Sequence, residues 1–385
     1  MINFNEHINR RNTNCIKYDF PARYSKPEGL LPLWIADMDF QIPKEVTEVL
    51  HKSVNHSIFG YTESKEPYFQ SVHNWYAQRY GYHTKEEWLV KTPGVTFALG
   101  MAIKAFTSPD DSILIQTPLY PPIANTIKIN NRNVVDSTLV YTQGRYEINM
   151  SDFEKKIREN NVKMFILCNP HNPVGRVWLR EELQEMGHIC KKYNVLVVSD
   201  EIHCDIVLPG HKHIVFSTVC EDVPSVICTA PSKTFNIAGL QVSNNFIQDS
   251  NLRDVFQNEI LSTGYHQLNS MGLAAGQAAY EHGHNWLAQL IEYLAQNAAY
   301  VKKFLATNMP QVKVTDLQGT YLMWLDFSAL NISHSQLEDM LTNNAQLWLV
   351  SGTAFGETGE GFFRMNIACP RSTLEEAMER LLRIM

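Results

Sequence analysis

Residues 195–203 read VLVVSDEIH. The first four are apolar on both parities, so a strand here keeps no face for water and is buried on both sides. It ends on Asp200, which puts a carboxylate at the carboxyl end of a buried strand. Outward from it, 112–117 (SILIQT), 163–168 (KMFILC) and 225–229 (SVICT) show the same two-sided apolar pattern. Between and around them, 151–160, 180–193 and 250–262 have the spacing of helices. Strands alternating with helices predict an α/β fold with a mostly parallel sheet covered by helices. After about residue 284 the texture changes. A helical stretch (284–307) precedes short strands near 312–316, 320–327 and 361–367, with helices near 334–344 and 372–384. This reads as a smaller α+β domain. With 385 residues the chain exceeds what one core usually supports. The expected division is an arm at 1–45 that adds to the small domain, a large domain at 46–284 and a small C-terminal domain at 285–385.

In open α/β sheets ligands bind at the carboxyl ends of the strands. Four polar features fall at such ends: Pro93-Gly94-Val95-Thr96, Asn169-Pro-His-Asn-Pro173, Asp200-Glu-Ile-His203 and Ser232-Lys233. Each has two readings when taken alone. Lys233 is a surface lysine in a loop, or a half-buried amine that has lost pKa and attacks carbonyls. Asp200 is a cap carboxylate, or the partner of a cationic ring nitrogen. Asn172 marks a proline-fixed turn, or donates its amide to a phenolate-type oxygen. Gly94-Val95-Thr96 is a common glycine before a helix, or a helix N-terminus holding a phosphate. Their convergence on one sheet edge points to a single site.

Composition narrows the function classes. Lys and Arg number 33 against 40 Asp and Glu, a net charge of −7, which argues against a nucleic-acid or anionic-membrane surface. The seven cysteines (Cys15, Cys168, Cys190, Cys204, Cys220, Cys228, Cys369) are scattered, without a CxxC. With no signal-peptide core in MINFNEHINRRNTNC, they predict a reducing cytoplasm. His203, Cys204, His211 and His213 lie close together, but lack the spacing of a metal site, and none is expected.

The ordered set Asn-Pro-x-Asn-Pro-x-Gly (169–175), Asp-x-x-His (200–203) and Ser-Lys-Thr-Phe-Asn-x-Ala-Gly-Leu (232–240) resembles the fold-type-I pyridoxal-phosphate enzymes, the aspartate aminotransferase superfamily. The resemblance spans essentially the whole chain and implies a large domain with a seven-stranded sheet. Trp34-Ile-Ala-Asp-Met-Asp-Phe40, Phe59-Gly-Tyr61, Pro118-Leu-Tyr-Pro-Pro122 and Phe363-Arg-Met-Asn-Ile-Ala368 are similar to the MalY/PatB group of cystathionine β-lyases, or C–S lyases. That resemblance implies pyridoxal 5'-phosphate held by Lys233, with Asp200 at the ring nitrogen. Asn172 and His203 serve the phenolic oxygen, and Tyr120 stacks on the ring. Val95, Thr96 and Ser232 hold the phosphate. Tyr61 reaches the phosphate of a neighbouring copy, so a homodimer with a composite site is expected. Arg364 takes the substrate carboxylate and Ala36 lies beside it, while Trp34 and Asp37 are structural.

Two positions depart from the aminotransferase pattern and agree with the lyase group: His203 replaces a tyrosine, and Gln241 replaces a phosphate-binding arginine. A third, Ala230, stands where many relatives have a phosphate-binding serine or threonine; the neighbouring Thr229 side chain should point elsewhere. The activity implied is α,β-elimination from L-cystathionine, L-cysteine or related thioethers to pyruvate, ammonia and a thiol. Lys233 is the base, and Tyr120 and Asp200 act with it. An aminotransferase of the same fold is the alternative, and a regulatory protein that binds a transcription factor is a further one.

Overall fold

The computed structural model describes residues 2–384. Seven strands form the main sheet: β1 (Leu89–Thr92), β2 (Ser112–Ile115), β3 (Asn133–Asp136), β4 (Met164–Cys168), β5 (Leu196–Asp200), β6 (Ser225–Thr229) and β7 (Ser243–Phe246). Their spatial order is β1-β7-β6-β5-β4-β2-β3. Pairs β2–β3, β2–β4, β4–β5 and β5–β6 are parallel; β7 runs antiparallel to both β6 and β1.

Side chains alternate across each strand, and the two-sided apolar pattern divides accordingly. Ile113, Ile115, Met164, Ile166, Val198 and Val226 face one layer, packed with Ala98, Leu99, Ile123 and Phe256. Leu114, Phe165, Leu167, Val197 and Ile227 face the other, with Phe153, Leu183, Met186 and Trp75. Helices Val95–Phe106, Pro121–Ile129 and Ser250–Ser262 therefore cover one face, and Glu66–Tyr80, Met150–Glu159 and Arg180–Lys192 the other. Each fully buried large apolar side chain contributes about 1.5–3 kcal/mol.

The strand β7 reads SNNF, and an apolar pattern does not find it. Its polar side chains are fully buried, and the neighbouring strands and helices take up most of their hydrogen bonds, although Asn245 Oδ1 has no partner. Ser243 bonds Thr92, Asn244 accepts from Tyr68 Oη at 2.8 Å, and Asn245 donates to the Val90 carbonyl at 2.8 Å.

Beyond the sheet, the helix His284–Asn308 leads to a four-stranded antiparallel sheet whose central pair is Leu322–Asp326 and Phe362–Asn366. The N-terminal segment crosses to this region: Leu31–Pro32 pairs in parallel with Leu347–Trp348. The Trp34 ring stacks on Trp348 with centroids 4.2 Å apart. No described helix is long and apolar enough to cross a membrane.

Candidate active site

Strand alternation sends Asp200 and Glu201 to opposite faces. Glu201 turns into the core, where Ser199 Oγ, the Phe216 amide and His213 Nε2 bond its carboxylate at 2.8–2.9 Å. Asp200 turns toward the layer that contains the N-terminus of the helix Val95–Phe106, between Cys168 and Cys228 in register on β4 and β6. Among the described residues its one side-chain hydrogen-bond donor is the Ile202 amide at 3.2 Å. Burial, opposed by that amide, raises its pKa to about 7.

The carboxyl ends of β1, β4, β5 and β6, with the connection after β2, surround one cavity of about 180 Å³. Ala36, Val95, Thr96, Tyr120, Asn172, Asp200, His203, Ser232 and Lys233 all line it, so nine of the expected residues meet here. Val95 and Thr96 begin their helix, and no side chain caps Gly94, so their amides lack an acceptor inside the helix. Thr229 lies outside the site: its hydroxyl donates to the Asn244 carbonyl at 2.7 Å.

Lys233 sits in the single-turn helix Pro231–Thr234, directly after β6. Its Nζ donates to the Ala36 carbonyl at 2.6 Å, and Tyr321 Oη donates to the same oxygen at 3.0 Å. Burial lowers the Lys233 pKa to about 8, against the attraction of Asp37. His203 is also buried; burial, then Lys233 and Arg364, holds its pKa down at about 3, so the imidazole is neutral. Its Nδ1 has no hydrogen-bond partner.

Arg364 projects from Phe362–Asn366 to the rim of this group. It donates from Nη1 to Asn172 Oδ1 at 3.0 Å and from Nη2 to the Trp34 carbonyl at 2.9 Å, while Nε has no partner. Phe355 lies against its guanidinium at 5.0 Å. No carboxylate pairs with it among the described residues, and burial lowers its pKa to about 10. A buried guanidinium without an anion calls for one. The bond from Arg364 also fixes the Asn172 amide: with Oδ1 taken, Nδ2 is left to donate.

The loop 34–40 is tied down at successive carbonyls. Asn366 Nδ2 donates to those of Ile35 and Asp37, both at 2.6 Å, and Asn236 Nδ2 to those of Met38 and Phe40. Arg10 and the buried Lys17 pair with Asp37 and Asp39, and Trp34 Nε1 donates to the Lys17 carbonyl. Asn366, Asn236 and Tyr321 escaped the sequence reading; Asn366 and Asn236 lie inside quoted motifs, and Tyr321 only in the strand expected near 320–327. Gly175 closes the turn after β4 with a φ of +74°, and a Cβ there would lie 2.5 Å from Leu317 Cδ1, so any other residue at the motif's last position would be strained. Tyr61 is absent from the cavity. It is fully exposed, in a loop with Ile58 and Phe59 at 71% and 60% exposure.

The family model described as aminotransferase class I and II matches residues 29–381. The chain is 40% identical over 382 residues to the cystathionine beta-lyase PatB of Bacillus subtilis, covering 99% of both chains. It is 30% identical to the protein MalY of Escherichia coli, covering 99% of this chain and 98% of that one. Among solved structures, cystalysin from Treponema denticola, which contains a pyridoxal 5'-phosphate cofactor, superimposes with a TM-score of 0.96 at 35% identity, over 100% of this chain and 98% of that one. The pyridoxal-phosphate-bound C–S lyase from Staphylococcus hominis gives 0.94 at 34% identity, over 100% and 98%.

Proposed function

The chain belongs to the class I and II aminotransferase family of pyridoxal-phosphate enzymes, and from that premise we propose that it is a carbon–sulfur β-lyase. It cleaves L-cystathionine, and L-cysteine or related thioethers, to pyruvate, ammonia and a thiol. One observation carries the reading: a single cavity joins an amine depressed to about 8, a buried carboxylate and a helix N-terminus, and a guanidinium without a carboxylate partner is hydrogen-bonded to its lining residue Asn172. Full-length likeness to PatB supports elimination over amino transfer.

The residues fit the cofactor. Lys233 would hold it covalently, and Asp200 would pair with its ring nitrogen. Asn172 Nδ2 and the neutral His203 would supply donors for its phenolic oxygen. Tyr120 would stack on the ring. The free amides of Val95 and Thr96, with the Ser232 hydroxyl, would receive the phosphate. Gln241 lines the same end of the cavity, where an arginine would add charge. Bound there, the cofactor supplies an electron sink for the pair left when a substrate Cα–H bond breaks.

The substrate carboxylate lies on Arg364, beside Ala36. Lys233 Nζ would accept the Cα proton of a substrate held this way. A pKa near 8 suits that task, because a base works best when its pKa lies near the working pH. The Cβ–S bond then breaks and the thiol leaves with a proton. Water completes the balance, so that cystathionine and water give homocysteine, pyruvate and ammonia.

Replacing Arg364 by lysine removes the bidentate fork while keeping a charge. We expect kcat/KM for cystathionine to fall roughly tenfold to a hundredfold, mostly through KM, as lost uniform binding does. Steady-state kinetics at saturating cofactor check this.

The working unit is a homodimer in which Tyr61 of one copy completes the phosphate site of the other. The exposed run Ile58, Phe59 and Tyr61 supports it, since an apolar loop tip of this kind needs a covering surface. A cytoplasmic location agrees with seven free cysteines, six of them buried.

The deciding test supplies purified holoenzyme with L-cystathionine, without any keto acid, and assays pyruvate. Pyruvate and homocysteine in equal amounts support the lyase. Amino transfer that begins only when a keto acid is added would make the protein an aminotransferase.

A further inference from the structure

We propose that Asp205 is a positioning residue that sets the spacing between Lys233 and His203, with Thr234 as its link to the lysine. The proposal rests on the cofactor assignment above. Lys233 and His203 lie on separate connections, after β6 and after β5. Neither connection is stiff by itself: a four-residue helix holds too few bonds to persist alone, and residues 202–205 form turns. Something must hold the two together.

Asp205 lies two residues past His203, and its side chain is fully buried. Its Oδ2 accepts from Thr234 Oγ1 at 2.8 Å, and Thr234 is the residue after Lys233. Its Oδ1 accepts from Trp75 Nε1 at 2.9 Å and Tyr80 Oη at 2.5 Å, and pairs with Arg79 Nε at 3.2 Å. One carboxylate thus joins both cofactor-facing connections to the helix Glu66–Tyr80, an element of the core. The division between its oxygens matters. One serves the scaffold helix, and the other is given over to the lysine turn. Trp75 and Arg79 also pack on each other, the guanidinium 4.9 Å from the ring centroid, so the scaffold side is rigid. Asp205 touches neither the cavity nor any group that reacts. Its effect passes through Thr234 and through its own backbone.

Removing Asp205 itself would leave the buried Trp75 Nε1 and the half-buried Arg79 without their partner and could unfold the protein. The informative variant is Thr234→Val, which exchanges a hydroxyl for a methyl of similar size and leaves Asp205 its two scaffold donors, Trp75 and Tyr80, and its ion pair with Arg79. The companion is Thr234→Ser, which restores the hydroxyl. Apoprotein of each is titrated with pyridoxal 5'-phosphate, followed by the visible absorption of the bound cofactor and its change with pH; kcat and KM for cystathionine follow. We expect Thr234→Val to weaken cofactor affinity about tenfold, to displace the midpoint of the absorption change with pH, and to lower kcat roughly tenfold to a hundredfold at little change in KM, as misplacement by a fraction of an ångström does. Thr234→Ser should recover most of each. A Thr234→Val protein that melts earlier but keeps wild-type affinity, absorption midpoint and kcat would overturn the proposal, because Thr234 would then be structural only. So would a Thr234→Ser protein as impaired as Thr234→Val. The cofactor titration needs no substrate, so it answers even if the lyase reading fails.

Discussion

We expect Lys233→Ala to abolish turnover while the protein still folds. On the proposed roles, the substitution would remove the covalent attachment of the cofactor and the base that takes the Cα proton in one change. General-base catalysis alone is worth about 10²–10⁴-fold, so pyruvate release should fall by at least on the order of 10³-fold even at saturating cofactor. The amine's low pKa shows why nothing else in the cavity substitutes. At pH 7 a group with a pKa near 8 is a free amine about one time in ten, against roughly one in three thousand at the ordinary lysine value. His203 is neutral, but its pKa of about 3 makes it too weak a base. Stability should not suffer. A lysine whose folded pKa is depressed costs the fold free energy while the unfolded chain carries the proton. That cost is greatest below pH 8 and fades as pH rises through 8 toward 10.5. Lys233→Ala apoprotein should therefore melt at or above the wild-type temperature at pH 6 to 7. Pyruvate release and thermal unfolding of the same preparation check both parts. Wild-type turnover in this variant would sink the assignment.

How much of this could be read from the chain follows from where its chemistry lies. Strands such as VLVVSD announce themselves because both faces are apolar, and the helix expected at 250–262 spans Ser250–Ser262 in the structure. The polar features then fall at carboxyl strand ends by chain order alone, which is why nine residues named from sequence line one cavity. What stayed hidden depends on partners distant in sequence. The strand SNNF is polar and buried, legible only once Tyr68, Val90 and Thr92 are beside it. The strands β1 and β3 are too short and mixed for periodicity to separate them from loops. The helix expected at 334–344 keeps its α form only to Asp339 and widens into a π-helical turn at Met340–Asn344. Asp205 lies just past a motif that reads as complete at His203. Its meaning comes from Thr234, Trp75 and Tyr80, and no spacing rule joins those residues.

Asp200→Ala should keep part of the cofactor and lose most of the rate. On the proposed assignment Lys233, the Val95–Thr96 amides and Ser232 would still hold the cofactor, so binding should weaken without vanishing. The ring nitrogen, however, loses the carboxylate that keeps it protonated, and the pair left at Cα is then poorly accepted. A preorganised charge at such a position is worth about 10²–10³-fold in kcat, and a loss of that size is expected with KM little altered. Without its partner the ring nitrogen should also titrate at lower pH, adding to the absorption of the bound cofactor a pH-dependent change that the wild type lacks in that range. The apoprotein gives an independent check with a definite sign. Burial raises the Asp200 pKa to about 7. Its ionised form therefore costs the fold stability, a cost fully present above pH 7 and relieved as pH falls from 7 toward 3.8. Removing the carboxylate should stabilise the apoprotein at pH 8 and leave it nearly unchanged at pH 4. In the holoenzyme a cationic ring nitrogen offsets that cost, and the gain at pH 8 should disappear. Apo and holo melting curves at the two pH values separate a carboxylate that awaits a cationic partner from one that merely fills a strand end; equal curves for wild type and variant in all four would rule out the first.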